Sequence, residues 1–400
     1  MSTRKILTAS QRNNVLLCMA TLVSENKEEL LKANALDISN YKGDDLAVYD
    51  RLIVDAEKVN EMVKSLHQLA DDTDPLGKKL CDFKHENGLK IINKTAPFGT
   101  VLIIYESRPD VTVEAAAIAF KSGNKIVLKG GKEAINSNLK LVDLWHKALS
   151  QCNISTEWVE YLKLSRVETQ GFLENPPQKI DLIIPRGGEK LIAFVKKNAN
   201  CPVIVSGRGN NFVYVDSEAD VAIALQIIMN AKTAKISACN AVDKVLVNAS
   251  LPNKSAFLKA LVAKLRASNV TIFGDEKMSS LEEVTLIENE DVWYEEFLDY
   301  KIVIGQVANS SEAIDKINTY GGGHSAVIIT TDEKEAEDFM TAVDAAAVYH
   351  NASTRFTDGG QFGLGGELAI STDKLHHRGP MGLQHLVTNK WYIFGNGQTR

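Results

Sequence analysis

Four hundred residues suffice for about two to three domains. Apolar and charged shares of 44% and 24% are those of an ordinary folded chain, which excludes disorder or a coiled coil as its main state. With 45 basic against 51 acidic residues, a formal net charge of −6, there is no cationic surplus to meet a nucleic-acid backbone.

No apolar run approaches the roughly 18–20 residues of a membrane helix. The opening MSTRKILTASQRNN has a basic start but lacks the apolar core of a secretory signal, so a cytoplasmic location is expected. The five cysteines (Cys18, Cys81, Cys152, Cys201 and Cys239) include no Cys-X-X-Cys pair, which argues against a zinc site or a redox dithiol. In a cytosolic chain they are expected to stay reduced. Either all five are packing residues or one is a nucleophile.

The first eighty or so residues read as helices. Leu46, Tyr49, Leu52, Ile53, Ala56, Val59, Val63 and Leu66 recur at three- and four-residue spacing, and Asp37, Ser39 and Asp44 offer capping oxygens between helical pieces. The run from Asp71 to Gly77 breaks this pattern. FKHENGLKIINK then places Asn87-Gly88 between two extended runs, a hairpin signal in which both turn positions favour positive φ.

Beyond the hairpin, strands and helices alternate. Strands are expected at Val101–Tyr105, Lys125–Gly131, Val159–Leu164, Ile180–Ile184, Val203–Val205 and Phe212–Val215, with helices at 111–121, 133–150 and 221–232. A second series of strands follows at Lys244–Asn248, Val270–Phe273, Lys301–Val307, Ser325–Thr330 and Ala346–Ala352. The rhythm is that of parallel βαβ units. The aromatic tail NKWYIFGNGQTR reads as an extended segment that needs a partner surface.

Cys239 lies between a helix and a strand, with Ser237 and Ala238 before it and Asn240 after it. Small neighbours at an element junction suit an accessible thiolate, and they suit a packed thiol as well. The dinucleotide fingerprint G-x-G-x-x-G is absent, because the candidate beginning Gly207-Arg208-Gly209 ends in Phe212 and the one beginning Gly363 ends in Leu368. Lys129-Gly130-Gly131 and Pro185-Arg186-Gly187-Gly188 each put glycine at a strand-to-helix turn, where helix N–H groups could meet a phosphate, although glycine is common at such turns. Glu106, Ser107 and Arg108 end a strand, which is where open α/β sheets bind ligands and equally where chains meet solvent. Asn351, Ser353, Thr354, Arg355, Thr357 and Asp358 crowd a glycine-dense segment suited to a small anion. His376 and His377 are a poor metal site, since adjacent side chains point apart.

Five segments join these pieces: APFGTVLIIYESRPDVTVEAAAIAFKSGNKIVLKGG, IPRGGEKLI, NFVYVD, NAKTAKISACNAVDKVLVN and VYHNASTRFTDGGQFGLGGELAISTDKLHHRGPMGLQHL. Together they resemble the gamma-glutamyl phosphate reductase (glutamate-5-semialdehyde dehydrogenase) family of the aldehyde dehydrogenase superfamily. The resemblance spans essentially the whole chain. It implies an α/β, aldehyde dehydrogenase-like fold with two Rossmann-like parallel-sheet domains and a small oligomerisation element. The expected division is 1–81 with 98–232 for the cofactor, 233–375 for catalysis, and 82–97 with 376–400 as oligomerisation hairpin and tail.

The resemblance also implies roles. Cys239 matches the catalytic cysteine. Lys129, with Gly130 and Gly131, matches the lysine that reaches the adenosine ribose. Lys132 stands where NAD-preferring relatives often carry an acid, so its charge favours the 2′-phosphate of NADPH. Arg186, Gly187 and Gly188 match the turn near the pyrophosphate, and Glu296 resembles the glutamate that holds the nicotinamide ribose. Ser107 or Arg108 falls near an oxyanion-binding asparagine, and Asn351, Ser353, Thr354, Arg355 and Thr357 are the substrate candidates.

The activity implied is NADPH-dependent reduction of L-glutamyl 5-phosphate to L-glutamate 5-semialdehyde and phosphate, through a cysteine thioester, in L-proline biosynthesis. VIVSGRGNNFVYVD carries no acid before Asp216, so the water-activating glutamate of hydrolytic relatives is missing. Asn211-Phe212 stands where family members commonly show Cys-His. Another acylating or non-phosphorylating aldehyde dehydrogenase is the alternative, and an inactive cofactor-binding scaffold a further one. No kinase domain is expected ahead of the first helices, no metal, nucleic acid or membrane is implied, and a dimer or higher even oligomer is expected.

Overall fold

A computed structural model describes residues 6–400, with the backbone but not the side chains of Leu46 and Ala47. The basic start at 1–5 and the Leu46 member of the apolar stripe therefore lie outside what is described. The chain divides into two units: Met1–Val205 with Gly363–Ala369 and Met381–Arg400, and Ser206–Phe362 with Ile370–Pro380.

The first unit opens with helices α1 (Ala9–Glu25), α2 (Lys27–Asn40), α3 (Leu46–Leu52) and α4 (Ala56–Asp71). A Thr8–Gln11 capping box starts α1, and the Asp55 carboxylate caps α4 by accepting the Lys58 N–H. Asp37 caps no helix adjacent to it in sequence, and serves the N-terminus of a later one instead. It lies buried inside α2 and accepts the N–H groups of Asn136 and Ser137, at 3.0 and 2.8 Å, in the first turn of α6 (Ile135–Gln151). Strands β1 (Lys79–Lys84) and β2 (Lys90–Pro97) form the hairpin. Its turn differs from the expected two-residue form: His85 and Leu89 close a three-residue loop in which Gly88 alone takes positive φ, 91°. The Asn87 carboxamide is engaged instead with the Leu89 N–H.

Next come β3 (Thr100–Tyr105), α5 (Glu114–Lys121), β4 (Lys125–Lys129), α6, β5 (Val159–Tyr161), α7 (Arg166–Glu174), β6 (Leu182–Arg186) and α8 (Glu189–Asn198). The parallel sheet runs β5-β4-β3-β6. One face packs on α1, α4, α5 and α6 through residues such as Val15, Leu66, Phe120, Trp145, Ile103 and Leu128. Val203–Val205 is no strand, because Val203 makes only an isolated bridge to Ile183.

The second unit holds β7 (Asn211–Val215), α9 (Val221–Thr233), β8 (Val242–Asn248), α10 (Lys254–Ala267), β9 (Thr271–Gly274), β10 (Thr285–Leu286), β11 (Lys301–Val307), α11 (Ser310–Tyr320), β12 (Ser325–Ile329), α12 (Glu333–Ala342) and β13 (Ala347–His350). Its all-parallel sheet runs β10-β9-β11-β8-β7-β12-β13. The expected boundary at 232/233 therefore moves to 205/206. β7 sits inside the second sheet between β8 and β12, and α9 packs with it. The short strands β14 (Ala369–Ser371) and β15 (Gly379–Met381) precede β16 (Val387–Phe394), which pairs antiparallel with β2. The hairpin and the tail thus share one three-stranded sheet, β1-β2-β16.

A buried ion pair and a buried carboxyl set local stability. Lys232 at the end of α9 and Asp243 in β8 form a buried pair 2.8 Å apart, and Asp243 also accepts the Phe297 N–H at 2.9 Å. Asp243→Ala strands a buried ammonium and should cost about 3–5 kcal/mol in urea unfolding of this unit, while Lys232→Met/Asp243→Leu should recover more than half of that loss. Glu114, in the first turn of α5, is pushed up from 4.5 to about 7 by burial and by the charges of Asp110 and Glu61, against the pull of Arg186 and Arg108. Between those two values the unfolded chain has released the proton that the native chain still holds, so stability falls as pH rises through that window. Glu114→Gln should therefore stabilise the protein at pH 8 by up to about 3 kcal/mol, and the gain should vanish below roughly pH 4.5 in melting curves across pH.

Candidate active site

In the first unit the chain proceeds from β3 outward through β4 to β5, then returns to place β6 on the other side of β3. That reversal opens a crevice outside the carboxyl ends of β3 and β6, the standard ligand position in such sheets. The expected cofactor segments stand at these ends and at that of neighbouring β4: Glu106-Ser107-Arg108 after β3, Lys129-Gly130-Gly131 after β4, and Arg186-Gly187-Gly188 after β6.

Across the crevice, a Glu106 carboxylate oxygen accepts the Gly188 N–H at 3.2 Å, at the start of α8. A side-chain carbon on Gly187 would come within 2.5 Å of that carboxylate and 2.8 Å of Leu191, so the turn leaves only a bare-backbone cradle. A side-chain carbon on Gly130 would likewise run into the Asn138 carboxamide and lie 3.0 Å from both the Tyr105 ring and the Tyr161 hydroxyl. Lys129 is half-buried, and burial lowers its pKa against the pull of Glu133 and Glu106. Lys132 is exposed. Two glycine turns, a helix N-terminus and two lysines fit the phosphates of a dinucleotide.

Ser107 is held at φ 47°, in the left-handed region, by one partner. Its N–H and its hydroxyl both donate to Glu133, at 2.8 and 2.9 Å. The hydroxyl considered for an oxyanion is therefore buried and engaged within the unit, whereas Arg108 is half-exposed.

In the second unit, Cys239 stands half-buried in the turn between α9 and β8. All five cysteines remain thiols, and burial raises the pKa of Cys18, Cys152 and Cys201, which keeps them protonated. The Lys232–Asp243 pair closes the base of the Cys239 turn. The Ala241 N–H donates to the Ala238 carbonyl at 2.9 Å. The Asn211 carboxamide donates to the Cys239 carbonyl at 2.7 Å. Glu296, expected at the nicotinamide ribose, accepts the Gly209 N–H at 2.8 Å, on the segment that packs against Cys239.

The segment 351–357 reaches the same turn from the other side. Asn240 donates to the carbonyls of Arg355 and Thr357, its own carbonyl accepts the Thr354 hydroxyl at 2.6 Å, and its side-chain oxygen accepts from the Arg355 guanidinium. Burial revises the reading of this polar cluster. Ser353 donates to Asn230, and Thr357 is locked between Ser325 and Tyr349. Asn351 brackets Thr330 through both its N–H and its carbonyl. These side chains, with Thr354, build the scaffold of the turn, and Arg355 is the half-exposed cation beside the thiol's neighbour.

Two participants lay outside the sequence reading. Lys244 is fully buried, its ammonium 2.7 Å from the Glu295 carbonyl and 4.1 Å from the Phe297 ring centre, and burial pushes its pKa down to about 8 against the pull of Asp243. His324 is also buried and shifted down to about 4 by burial, with Nδ1 2.8 Å from the Ser325 hydroxyl. Lys244 follows Asp243 at the head of an apolar strand, and His324 stands between three glycines and Ser325; no periodicity or spacing marks either.

The model of the Aldehyde dehydrogenase family matches residues 3–289 and 287–391. The gamma-glutamyl phosphate reductase of Clostridium botulinum (strain Eklund 17B / Type B) is 43% identical over 396 residues, covering 98% of this chain and 95% of its own. That of Dictyoglomus thermophilum is 42% identical over 397 residues, 99% of this chain and 95% of its own. The crystal structure of the gamma-glutamyl phosphate reductase from Thermotoga maritima superposes with a TM-score of 0.93 at 39% identity, covering 98% of this chain and 95% of that one. The chain belongs to the aldehyde dehydrogenase family, in its gamma-glutamyl phosphate reductase branch.

Proposed function

We propose that this chain reduces L-glutamyl 5-phosphate to L-glutamate 5-semialdehyde and inorganic phosphate with NADPH, through a thioester on Cys239, as a step of L-proline biosynthesis in the cytoplasm. The observation that carries the reading is the setting of Cys239, held from one side by Asn211 and flanked on the other by Asn240 and Arg355. The family to which the chain belongs supports the substrate.

The Cys239 thiolate attacks the acyl phosphate carbonyl. A carbon–sulfur bond forms and the carbonyl electron pair moves to oxygen. The Ala241 N–H fixes the Ala238 carbonyl, and backbone N–H groups of this turn are the donors suited to that oxyanion. When the oxyanion collapses, the carbon–oxygen bond to phosphate breaks and phosphate leaves with the pair. Phosphate is a good leaving group, so no general acid is required. Arg355 is the guanidinium suited to the phosphate or the substrate carboxylate, because its fork matches either.

Lys129, Lys132, Arg186 and the Gly187-Gly188 turn would hold the dinucleotide, and bound NADPH supplies a hydride to the thioester carbonyl. The resulting thiohemiacetal oxyanion then collapses to the aldehyde and returns the thiolate. The strand leading to Asp216 carries no carboxylate to activate water, and the Glu296 that reaches it accepts a backbone N–H instead. The sheet β1-β2-β16 exposes Leu80, Phe83, Trp391, Ile393 and Phe394, apolar surface suited to a second copy of the chain in a dimer or higher even oligomer.

Purified protein should oxidise pyrroline-5-carboxylate only with both NADP and phosphate present, and CoA should not replace phosphate. In that assay Cys239→Ser should lose activity by roughly 10³-fold or more while keeping NADPH binding, and retention of even a few per cent would remove Cys239 from the mechanism. Lys132→Glu should lower the preference for NADPH over NADH by roughly tenfold, measured as the ratio of kcat/KM values, with the NADH reaction little changed.

A further inference from the structure

Asn211 opens β7 and is fully buried. Its carboxamide nitrogen faces three backbone carbonyls, those of Gly209 at 2.8 Å, Cys239 at 2.7 Å and Ala241 at 2.7 Å. The two amide hydrogens are shared among these three acceptors. The opposite orientation would press four oxygens together, so the surroundings fix which end of the amide points inward. The outward carbonyl oxygen is buried without a hydrogen-bond partner. A buried polar atom left unpaired is disfavoured. This residue accepts that penalty in order to present its donors to the Cys239 turn.

The backbone is arranged around this contact. The register between β7 and β8 slips between Asn211 and Phe212, so that Asn211 lies opposite Val242 and Phe212 opposite Lys244. Gly209 approaches so closely that a side-chain carbon there would lie 2.6 Å from the Cys239 Cα. Phe212 points elsewhere, its ring 6.3 Å from that of Trp293 and nearly parallel to it.

We infer that Asn211 is a positioning residue for Cys239, acting through the peptide plane that follows the thiol. The inference rests on the reading of Cys239 as the nucleophile. Two peptide planes flank the Cys239 Cα. The Ala241 N–H anchors the preceding plane by its carbonyl, and Asn211 anchors the following one by its carbonyl. Fixing both planes fixes φ and ψ of Cys239, and with them the direction of its Cβ and the arc open to its sulfur. Without the Asn211 donor the second plane can rotate and the sulfur wanders from the line of attack. Apolar packing alone cannot supply this constraint, because it is the N–H donation that holds the carbonyl.

The test pairs Asn211→Val with Asn211→Thr, two side chains of nearly one shape of which only threonine donates. Both suit a strand. Activity is followed as NADP- and phosphate-dependent oxidation of pyrroline-5-carboxylate. Alkylation of Cys239 by iodoacetamide is followed separately by peptide mass, and thermal melting reports folding. Asn211→Val should lower kcat by roughly 10²-fold with KM within about threefold, and should shift the alkylation rate of Cys239. Asn211→Thr should recover at least about tenfold of that kcat loss. If Asn211→Val keeps kcat and the alkylation rate within about threefold of the parent, or if both variants lose equally, donation by Asn211 is not what positions the thiol. Should Asn211→Val fail to fold, Asn211→Ala takes its place in the same comparison. A Cys239→Ser variant run alongside separates the two ideas: residual turnover there overturns the nucleophile, whereas its inactivity beside unimpaired Asn211 variants overturns the positioning alone.

Discussion

The ammonium of Lys232 and the carboxylate of Asp243 meet 2.8 Å apart, almost wholly removed from water, and the residues between them form the turn that carries Cys239. A buried ion pair gains little net stability over an apolar pair of the same volume, because desolvation offsets the attraction. What it does supply is registry. Asp243 has a second oxygen, which takes the Phe297 N–H. That bond sets the stretch 295–297 against the start of β8, puts the Glu295 carbonyl on the buried Lys244, and brings Glu296 to the Gly209 N–H. One pair thus fixes the two ends of the thiol's turn and the segment that braces its neighbour. Sliding β8 by one residue would exchange Asp243 for Val242 or Lys244, and either exchange leaves the Lys232 charge buried without an acceptor.

The first unit achieves comparable rigidity with carboxylates at a strand end. Glu133 takes both the N–H and the hydroxyl of Ser107 and so maintains its left-handed backbone, while Glu106 takes the Gly188 N–H. Two acids and the half-buried Lys129 therefore share the rim of one crevice. A dianionic phosphate entering there would meet a helix N-terminus and lysines, but also the Glu106 carboxylate already seated on Gly188. Binding the phosphate at that amide requires Glu106 to give way, and its exposed position makes that movement inexpensive.

Much of this architecture was legible because parallel strands buried on both faces read as short apolar runs, and those runs fell where strands stand. The place of Cys239 between a helix and a strand was legible, and it stands in the turn between α9 and β8. The unit boundary was not, since the β–α rhythm passes Val205 without a linker and only sheet pairing assigns β7 to the second unit. The turn at Asn87-Gly88 was half legible: glycine takes the positive φ, while asparagine spends its carboxamide on a local hydrogen bond. Lys244 and the part played by Asn211 left no periodic trace, because each is defined by partners distant in sequence, and His324, which bonds its neighbour Ser325, is set apart only by its burial.

The segment 351–357 shows why a polar cluster is an ambiguous signal. Its composition suggests a ligand surface, yet Ser353, Thr354 and Thr357 are buried with their hydroxyls engaged, and Asn351 serves the end of β12. On the proposed route through a Cys239 thioester, that engagement has a chemical consequence. A loose hydroxyl or carboxylate beside the sulfur would orient or deprotonate a water molecule and release the acyl group as acid. Neutral hydroxyls are weak bases, burial keeps those of Ser353, Thr354 and Thr357 from water, and Glu296 gives an oxygen to the Gly209 N–H. The packing that buries these hydroxyls against the thiol's turn therefore also keeps them from water. Of the cluster flanking the turn, Arg355 keeps a half-exposed charge, and a guanidinium binds anions without abstracting protons.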